Sequence, residues 1–478
     1  MRIRALASYG VLLGLLLGLT GGCGGSGDNE QATPRDVWGT VKDAWVFSVP
    51  LVLMDATKTV GTNTVNATDK KAPVNQFLHA RTLATAKFRQ VVTPNVDTLY
   101  SQLFMDLSQD AVVIHKPASD RFLSLEVMNA WSDCVAVLGT GGDPLTGAGT
   151  DEERTYLLTG PNFSGEVPDG MTQVKMPTTI GWILGRTVCS GDNDLDNVYA
   201  IQGKLTSLTL TAHRTGAPMP EGVYDPANEY VPITHVLSLG AREFFGRVNE
   251  LLEENPAYSA DAEMMEKIRT IGVGSGLTFD EAVLGQDAEA KWRELLGGVR
   301  AELAEAARKY MVENGVFENF GEPIARFGTA YEYRAMVALA AFGANTVDVA
   351  IYPRAEADAD GDTLTGQNAY VLRFEKGALP PVKDKGFWSI TAYGDDDFLI
   401  DNELNRYCIN DRSDVTFNGD GSLELYLQAG RPADDAKVGN WLPVGTGGFH
   451  LYMRIYLPEE SALDGTWRAP TITKTAAR

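Results

Sequence analysis

The chain has 478 residues, 44% of them hydrophobic and 22% charged, with a formal net charge of -22. That length exceeds one ordinary domain and supplies apolar side chains for more than one core. Acidity of this size excludes a nucleic-acid partner, whose phosphates call for Lys and Arg, and excludes docking on anionic lipid through a basic patch.

The first segment is a leader. Arg2 and Arg4 precede an apolar run from Val11 to Leu19, then Thr20, Gly21 and Gly22, then Cys23. A positive start, an apolar centre and a small-residue exit describe a secretory signal. The run falls short of the roughly 20 residues that span a bilayer as a helix. A cysteine directly after small residues resembles a lipobox, although Thr20 stands where Leu is usual. The resemblance implies that residues 1–22 are a cleaved signal peptide and that Cys23 is acylated, with the membrane as a partner through that lipid anchor. Ordinary cleavage leaving a free cysteine, or an uncleaved anchor, are the alternatives. Residues 23–36 form a flexible tether by composition. Residue 25 is Gly rather than Asp, which favours an outer-membrane lipoprotein facing the periplasm or the exterior.

Helix-like spacing runs from Trp38 to Thr57, with a kink expected at Pro50. Residues 98–107 then alternate: Leu99, Leu103, Met105 and Leu107 share one face, Tyr100, Gln102, Phe104 and Asp106 the other. That is the period-two pattern of a half-buried strand. Val112–His115, Arg121–Met128, Cys134–Leu138 and Thr179–Val188 read as further strands, and Leu195–Lys204 as a short helix. Composition then shifts to Ala, Glu, Leu and Arg. Ser238–Glu254, Ala260–Thr270 and Ala288–Tyr310 read as helices, and Tyr331–Phe342 as a helix or a strand, with helix favoured. Beyond Gly343, Tyr370–Phe374, Phe387–Tyr393, Leu423–Gln428 and Phe449–Leu457 read as strands between turn clusters, which suggests a sandwich or jelly roll.

Two sets of residues carry a family resemblance. Thr93-Pro-Asn-Val-Asp-Thr-Leu-Tyr100, Asp106-Leu107, Pro117, Arg121-Phe122, Gly160-Pro161 and Gly185-Arg186-Thr187 resemble the domain of unknown function 1254. Tyr370, Pro380, Phe387-Trp388-Ser389, Thr391, Tyr393, Asn405-Arg406-Tyr407, Asn440-Trp441-Leu442-Pro443, Arg454, Tyr456 and Gly465-Thr-Trp467 resemble the domain of unknown function 1214. Phe122 stands where the first family often has Tyr. The resemblance implies a mainly β protein with a helical insertion: an N-terminal β-sandwich over residues 37–230, a helical segment over 231–325 and a C-terminal jelly roll over 326–478. It implies no particular reaction.

The candidate ligand-binding residues are Asn95, Asp97, Tyr100, Arg121, Arg186, Trp388, Arg406, Trp441 and Arg454. Asn95, Asp97 and Tyr100 either converge on a polar ligand or build a turn behind Pro94. Arg121 and Arg186, flanked by apolar residues, either read a ligand carboxylate or pair with Asp97 and Asp106. Trp388 and Trp441 are stacking platforms for sugar rings or core residues. The last long strand puts His450, Tyr452, Arg454 and Tyr456 on one face and Phe449, Leu451, Met453 and Ile455 on the other. The first face suits a ligand surface or an interface with another domain. Cys134 and Cys189, both in the first domain of an exported chain, are the expected disulfide, leaving Cys408 as a thiol.

No metal or cofactor is expected. The five histidines are scattered, and Asp358, Asp360 and Asp362 fail the EF-hand spacing, with Thr363 and Ala369 where Gly and Glu are required. They read as a hairpin tip. No nucleophile elbow, zinc helix or phosphate loop occurs. The expected role is binding of a polar or carbohydrate-like ligand in a cleft between two β domains. A hydrolase or lyase, and a structural envelope protein, are the alternatives.

Overall fold

A computed structural model describes residues 36–89, 91–143, 147 and 149–475. Cys23, the leader and nearly all of the tether lie outside the described residues. The expected architecture is present: mainly β, with a helical middle segment.

In the first half two sheets face each other. One runs in the order Leu78–His79, Thr98–Asp106, Ile180–Val188, Leu123–Asn129, Cys134–Gly139, all antiparallel. The other runs Met171–Lys175, Arg154–Thr159, Val112–Lys116, Thr206–Thr209. Alternation decides what lies between them. Leu103, Met105, Leu125, Val127 and Ile183 point inward against Ile114, Tyr156 and Leu158 of the second sheet.

The outer face of the first sheet is buried too, and this organises the molecule. At one end Phe104, Met128, Trp182 and Leu184 join the core of the helical layer. The Val37–Gly61 helix anchors that layer. It is long and apolar enough to cross a membrane, but 67% of its apolar window is buried inside the protein. It packs on Pro232–Ser238, Ala241–Leu251, Ala262–Arg269 and Tyr331–Ala340. Sequence order and spatial grouping therefore differ: this helix precedes the sandwich yet belongs with the middle helices. At the other end Phe122, Val137 and Val188 meet Val349, Ala350, Phe387, Tyr456 and Leu457 of the second half.

The C-terminal half is a second pair of sheets. The larger has the order Met311–Asn314, Phe317–Phe320, Arg354–Ala355, Phe449–Pro458, Val382–Gly394, Cys408–Asn410; the smaller is Trp441–Pro443, Leu423–Gln428, Ala369–Phe374, Ile472–Thr475. Phe449, Leu451, Met453 and Ile455 face the core between them, as their alternation requires. The hairpin of Met311–Asn314 and Phe317–Phe320 joins this sheet from within the expected helical segment. Asp358 sits in a hairpin tip, its Oδ1 accepting from the amides of Asp360 and Asp362.

The expected disulfide is absent: Cys134, Cys189 and Cys408 are all free thiols. Register explains it. Cys134 lies opposite Met128, which lies opposite Trp182. Cys189 follows the far end of that same strand, seven residues on, roughly 23 Å away at strand rise. A disulfide tolerates at most about 7 Å between Cα atoms.

Candidate functional site at the three-way junction

Between the helical layer and the C-terminal half, the outer face of the first sheet carries a polar band. Tyr100, Arg186 and Ser124 lie side by side across three strands. Glu126 is the next residue along on the same face. The loop from Gly343 to Tyr352 closes over them.

Arg186 is held from three sides. Its Nη1 donates to Glu126 Oε2 at 3.0 Å and to Asn345 Oδ1 at 2.8 Å, and its Nη2 to the Gly343 carbonyl at 2.7 Å. Its guanidinium carbon lies 5.7 Å from the Tyr100 ring centroid. Gly343 has φ 80°, and a Cβ there would stand 2.9 Å from Leu184 Cδ2, so glycine lets this carbonyl approach. Burial by itself pulls the Arg186 pKa down. The phenol oxygens of Tyr352 and Tyr100 and the Glu126 carboxylate outweigh it and hold the pKa above its ordinary value. Glu126 is wholly buried, and burial pushes it up to about 7 against the pull of Arg186.

Three phenols surround the pair. Tyr352 Oη accepts from Asn345 Nδ2. Tyr456 Oη accepts from Asn95 Nδ2 at 2.7 Å. Burial raises Tyr456 well above the usual phenol range, and Tyr352 and Tyr100 add to the rise. The Tyr100 hydroxyl bonds to no described protein group. Asn95, Tyr100 and Tyr352 keep part of their surface accessible, whereas Glu126, Arg186 and Tyr456 are buried. Thr98 Oγ1, Ser124 Oγ and Glu126 Oε1 are buried without a protein partner. Buried polar groups of this kind call for a partner, a water or a ligand atom among them.

Beside this band the two β halves are locked together. Asn95 Oδ1 accepts from the amides of Asp97 and Thr98, an Asx turn behind Pro94. That turn enters the polar face of the C-terminal sheet. Asp97 Oδ2 accepts from Ser389 Oγ at 2.5 Å, and its Oδ1 from Asn410 Nδ2 at 3.1 Å and Arg412 Nη2 at 3.0 Å. Arg454 donates to the Thr93 carbonyl at 3.0 Å, to Tyr393 Oη at 2.7 Å and to Thr391 Oγ1 at 3.1 Å. The Phe387 and Tyr456 rings stack at 4.2 Å, with Phe122 edge-on to both. Phe122 thus uses its ring where a family Tyr would bring a hydroxyl.

Of the nine candidates, Asn95, Tyr100 and Arg186 converge on the junction. Asp97 and Arg454 border it, but their polar atoms serve the interface. The others lie elsewhere. Arg121 pairs with Asp194 at 2.6 Å, not with Asp97, and Asp106 pairs with Lys58, not with Arg186. Trp388 is buried in the C-terminal core. Trp441 is buried with its Nε1 donating to the Gln428 carbonyl at 2.9 Å. Neither ring has a face open to a sugar. Arg406 ties down the carbonyls of Val438 and Trp441 at 2.7 and 2.8 Å. Glu126, Asn345 and Tyr352 escaped the sequence reading. Glu126 looked like an ordinary outward strand position, and Asn345 and Tyr352 lie in a loop without periodicity. Among the described residues no group of three or more His, Cys, Asp or Glu is arranged to hold a metal.

The family described as Protein of unknown function (DUF1254) matches residues 74–208, and Protein of unknown function (DUF1214) matches residues 349–460. The chain is a member of the proteins that carry these two domains in this order. No curated protein matches it. Among solved structures, the VPA0106 protein from Vibrio parahaemolyticus is similar over 92% of this chain and 100% of its own, with TM-score 0.66 and 22% identity. That likeness concerns the fold. A putative uncharacterized protein from Burkholderia cenocepacia aligns over 94% of this chain and 92% of its own, with TM-score 0.42 and 11% identity.

Proposed function

We propose that this chain is a cell-envelope lipoprotein, anchored through Cys23, that holds a neutral, hydroxyl-rich ligand such as a saccharide at the three-way junction. One observation carries the ligand class. Among the described residues of the polar band the cation is Arg186, and its donors are already taken by Glu126, Asn345 and the Gly343 carbonyl, so an added anion would have to displace one of them in a buried place. Tyr100, whose hydroxyl bonds to no described protein group, offers a neutral donor and acceptor of the kind that reads hydroxyls, and the neighbouring Asn95 and Tyr352 are neutral too, their polar atoms bonded to Asp97, Thr98, Tyr456 and Asn345. The leader supports export, and the acidic surface disfavours anionic polymers.

A thermal-shift screen of neutral oligosaccharides against uronates, simple carboxylates and lipids tests this reading. A ligand at about a hundredfold its Kd adds about 2.7 kcal/mol of stability. A rise confined to neutral saccharides supports the reading; a rise confined to carboxylates contradicts it.

The second reading is an extracytoplasmic hydrolase or lyase. It is favoured by Glu126 itself, a buried carboxyl raised to about 7 beside three phenols, poised to exchange a proton near neutral pH. Turnover of a saccharide that is lost in Glu126→Gln, with binding retained, distinguishes it from pure binding.

A further inference from the structure

A second surface, remote from the junction, has the makings of a partner site. A cleft of 290 Å³ opens where the Val37–Gly61 helix meets Pro232–Ser238 and Ala241–Leu251. Val52, Ala56 and Leu239 give it apolar walls. Tyr230 and His235 stack at 4.1 Å to form an aromatic shelf. Glu243 lines it as well, its Oε2 accepting from the Gly240 amide at 3.1 Å, and so do Asp55 and Arg247, which are joined by two bonds of 2.8 and 2.7 Å and so cancel each other's charge.

Next to the cleft lies an exposed apolar patch. Val223, Tyr224 and Val231 are 77%, 53% and 62% exposed. Val65 adjoins them, because the Gly222 amide donates to the Val65 carbonyl at 2.9 Å and the Asp225 amide to Asn63 Oδ1 at 2.7 Å. Large side chains gathered this way on a soluble surface mark an interaction site. The surroundings are acidic: Glu221, Asp225 and Glu229 are exposed. Lys71 is matched by Glu229 and Arg247 by Asp55 and Glu250, so the exposed acids of the rim that no described cation takes up are Glu221 and Asp225.

We infer that this surface docks a protein partner presenting a Lys or Arg side chain flanked by apolar residues. The aliphatic stem lies along Val52, Ala56 and Leu239, and the cation meets the aromatic shelf and Glu243. The flanking apolar residues cover Val223, Tyr224 and Val231. An anionic bilayer is the wrong partner, because the rim repels it.

The test uses the mature chain, a short labelled peptide alternating leucine and lysine, and its leucine–glutamate counterpart, read by fluorescence anisotropy. The lysine peptide binds, weakens with added salt and loses about tenfold in affinity in Glu243→Gln and in the double variant Val223→Ser/Tyr224→Ser. The glutamate peptide does not bind. Melting curves check folding, and the surface double variant keeps the test decisive if Glu243→Gln disturbs its helix. Equal binding of both peptides, unchanged affinity in the surface double variant, or no binding overturns the proposal. So does attachment to phosphatidylglycerol vesicles that the lysine peptide fails to displace.

Discussion

Asp97 and Arg412 stand 315 residues apart in the chain and 3.0 Å apart in space, a carboxylate of the first β half gripping a guanidinium of the second. Asp97 is fully buried and Arg412 mostly so. Arg412 also lies 4.7 Å over the Phe387 ring. The pair belongs to a seam built from one short turn, Thr93 to Asp97, set into the polar face of the C-terminal sheet.

Removing Asp97 takes the acceptor away from Ser389 and Asn410 and leaves Arg412 with Asp411 alone. Asp97→Ala therefore costs about 3–5 kcal/mol, and Asp97→Asn less, because its amide keeps an acceptor for Ser389. Urea denaturation measures both. The alanine variant is expected to separate the unfolding of the two halves. A loss below about 1 kcal/mol, the scale of an exposed ion pair, would show that the seam bears little load.

Glu126 gives stability a pH dependence with a definite sign. Its folded pKa of about 7 lies above the roughly 4.3 of an unfolded glutamate. The folded state thus binds the proton more tightly between those values. The contribution is fully present below about pH 4 and is lost as pH rises through 7, a change of about 4 kcal/mol at most. Glu126→Gln, which cannot ionise, should flatten this component. Melting of wild type and variant at pH 5 and pH 8 is the check, and parallel curves would be the wrong result.

Free thiols make a chemical prediction. Cys134 and Cys189 are buried, and burial raises both thiol pKa values, Cys189 to about 11. Neither should react with a thiol reagent in the native protein, and both should react in denaturant without any reductant. A reductant should leave the melting temperature unchanged. A reductant-dependent fall would restore the disulfide that register argues against.

Export is tested apart from the fold. Cys23→Ser is expected to release the protein from the membrane fraction into the soluble exported fraction. Unchanged retention of the variant would refute lipid anchoring and leave the junction untouched.

How much of this was legible before the structure depends on distance along the chain. The Thr98–Asp106 and Phe449–Pro458 strands announced themselves by alternation, and of the polar face of the latter, read as a ligand surface or an interface, Arg454 and Tyr456 bond to the first half. The edge strands Met171–Lys175 and Thr206–Thr209, and Arg154–Thr159 inside the same sheet, were missed, being short and weakly patterned. Partner choice was misread where it is long-range. Arg186 found Glu126, and Arg121 found Asp194, because strand register and a turn after Val188 set those contacts. The placement of the Val37–Gly61 helix was equally hidden, since its apolar residues say that it is buried and not against what. Trp388 and Trp441 have a composition that fits a sugar site and a core equally, and only packing separates them.

The junction itself is tested most directly by the double variant Tyr100→Phe/Tyr352→Phe. It removes two hydroxyls and no carbon; the buried Asn345 amide loses its Tyr352 acceptor at a cost of about 1–3 kcal/mol, so the unliganded melting temperature should fall by a few degrees while the fold is kept. Against a neutral oligosaccharide that raises the wild-type melting temperature, the variant should show no rise. A full ligand-dependent rise in the variant would place the binding elsewhere and contradict the account.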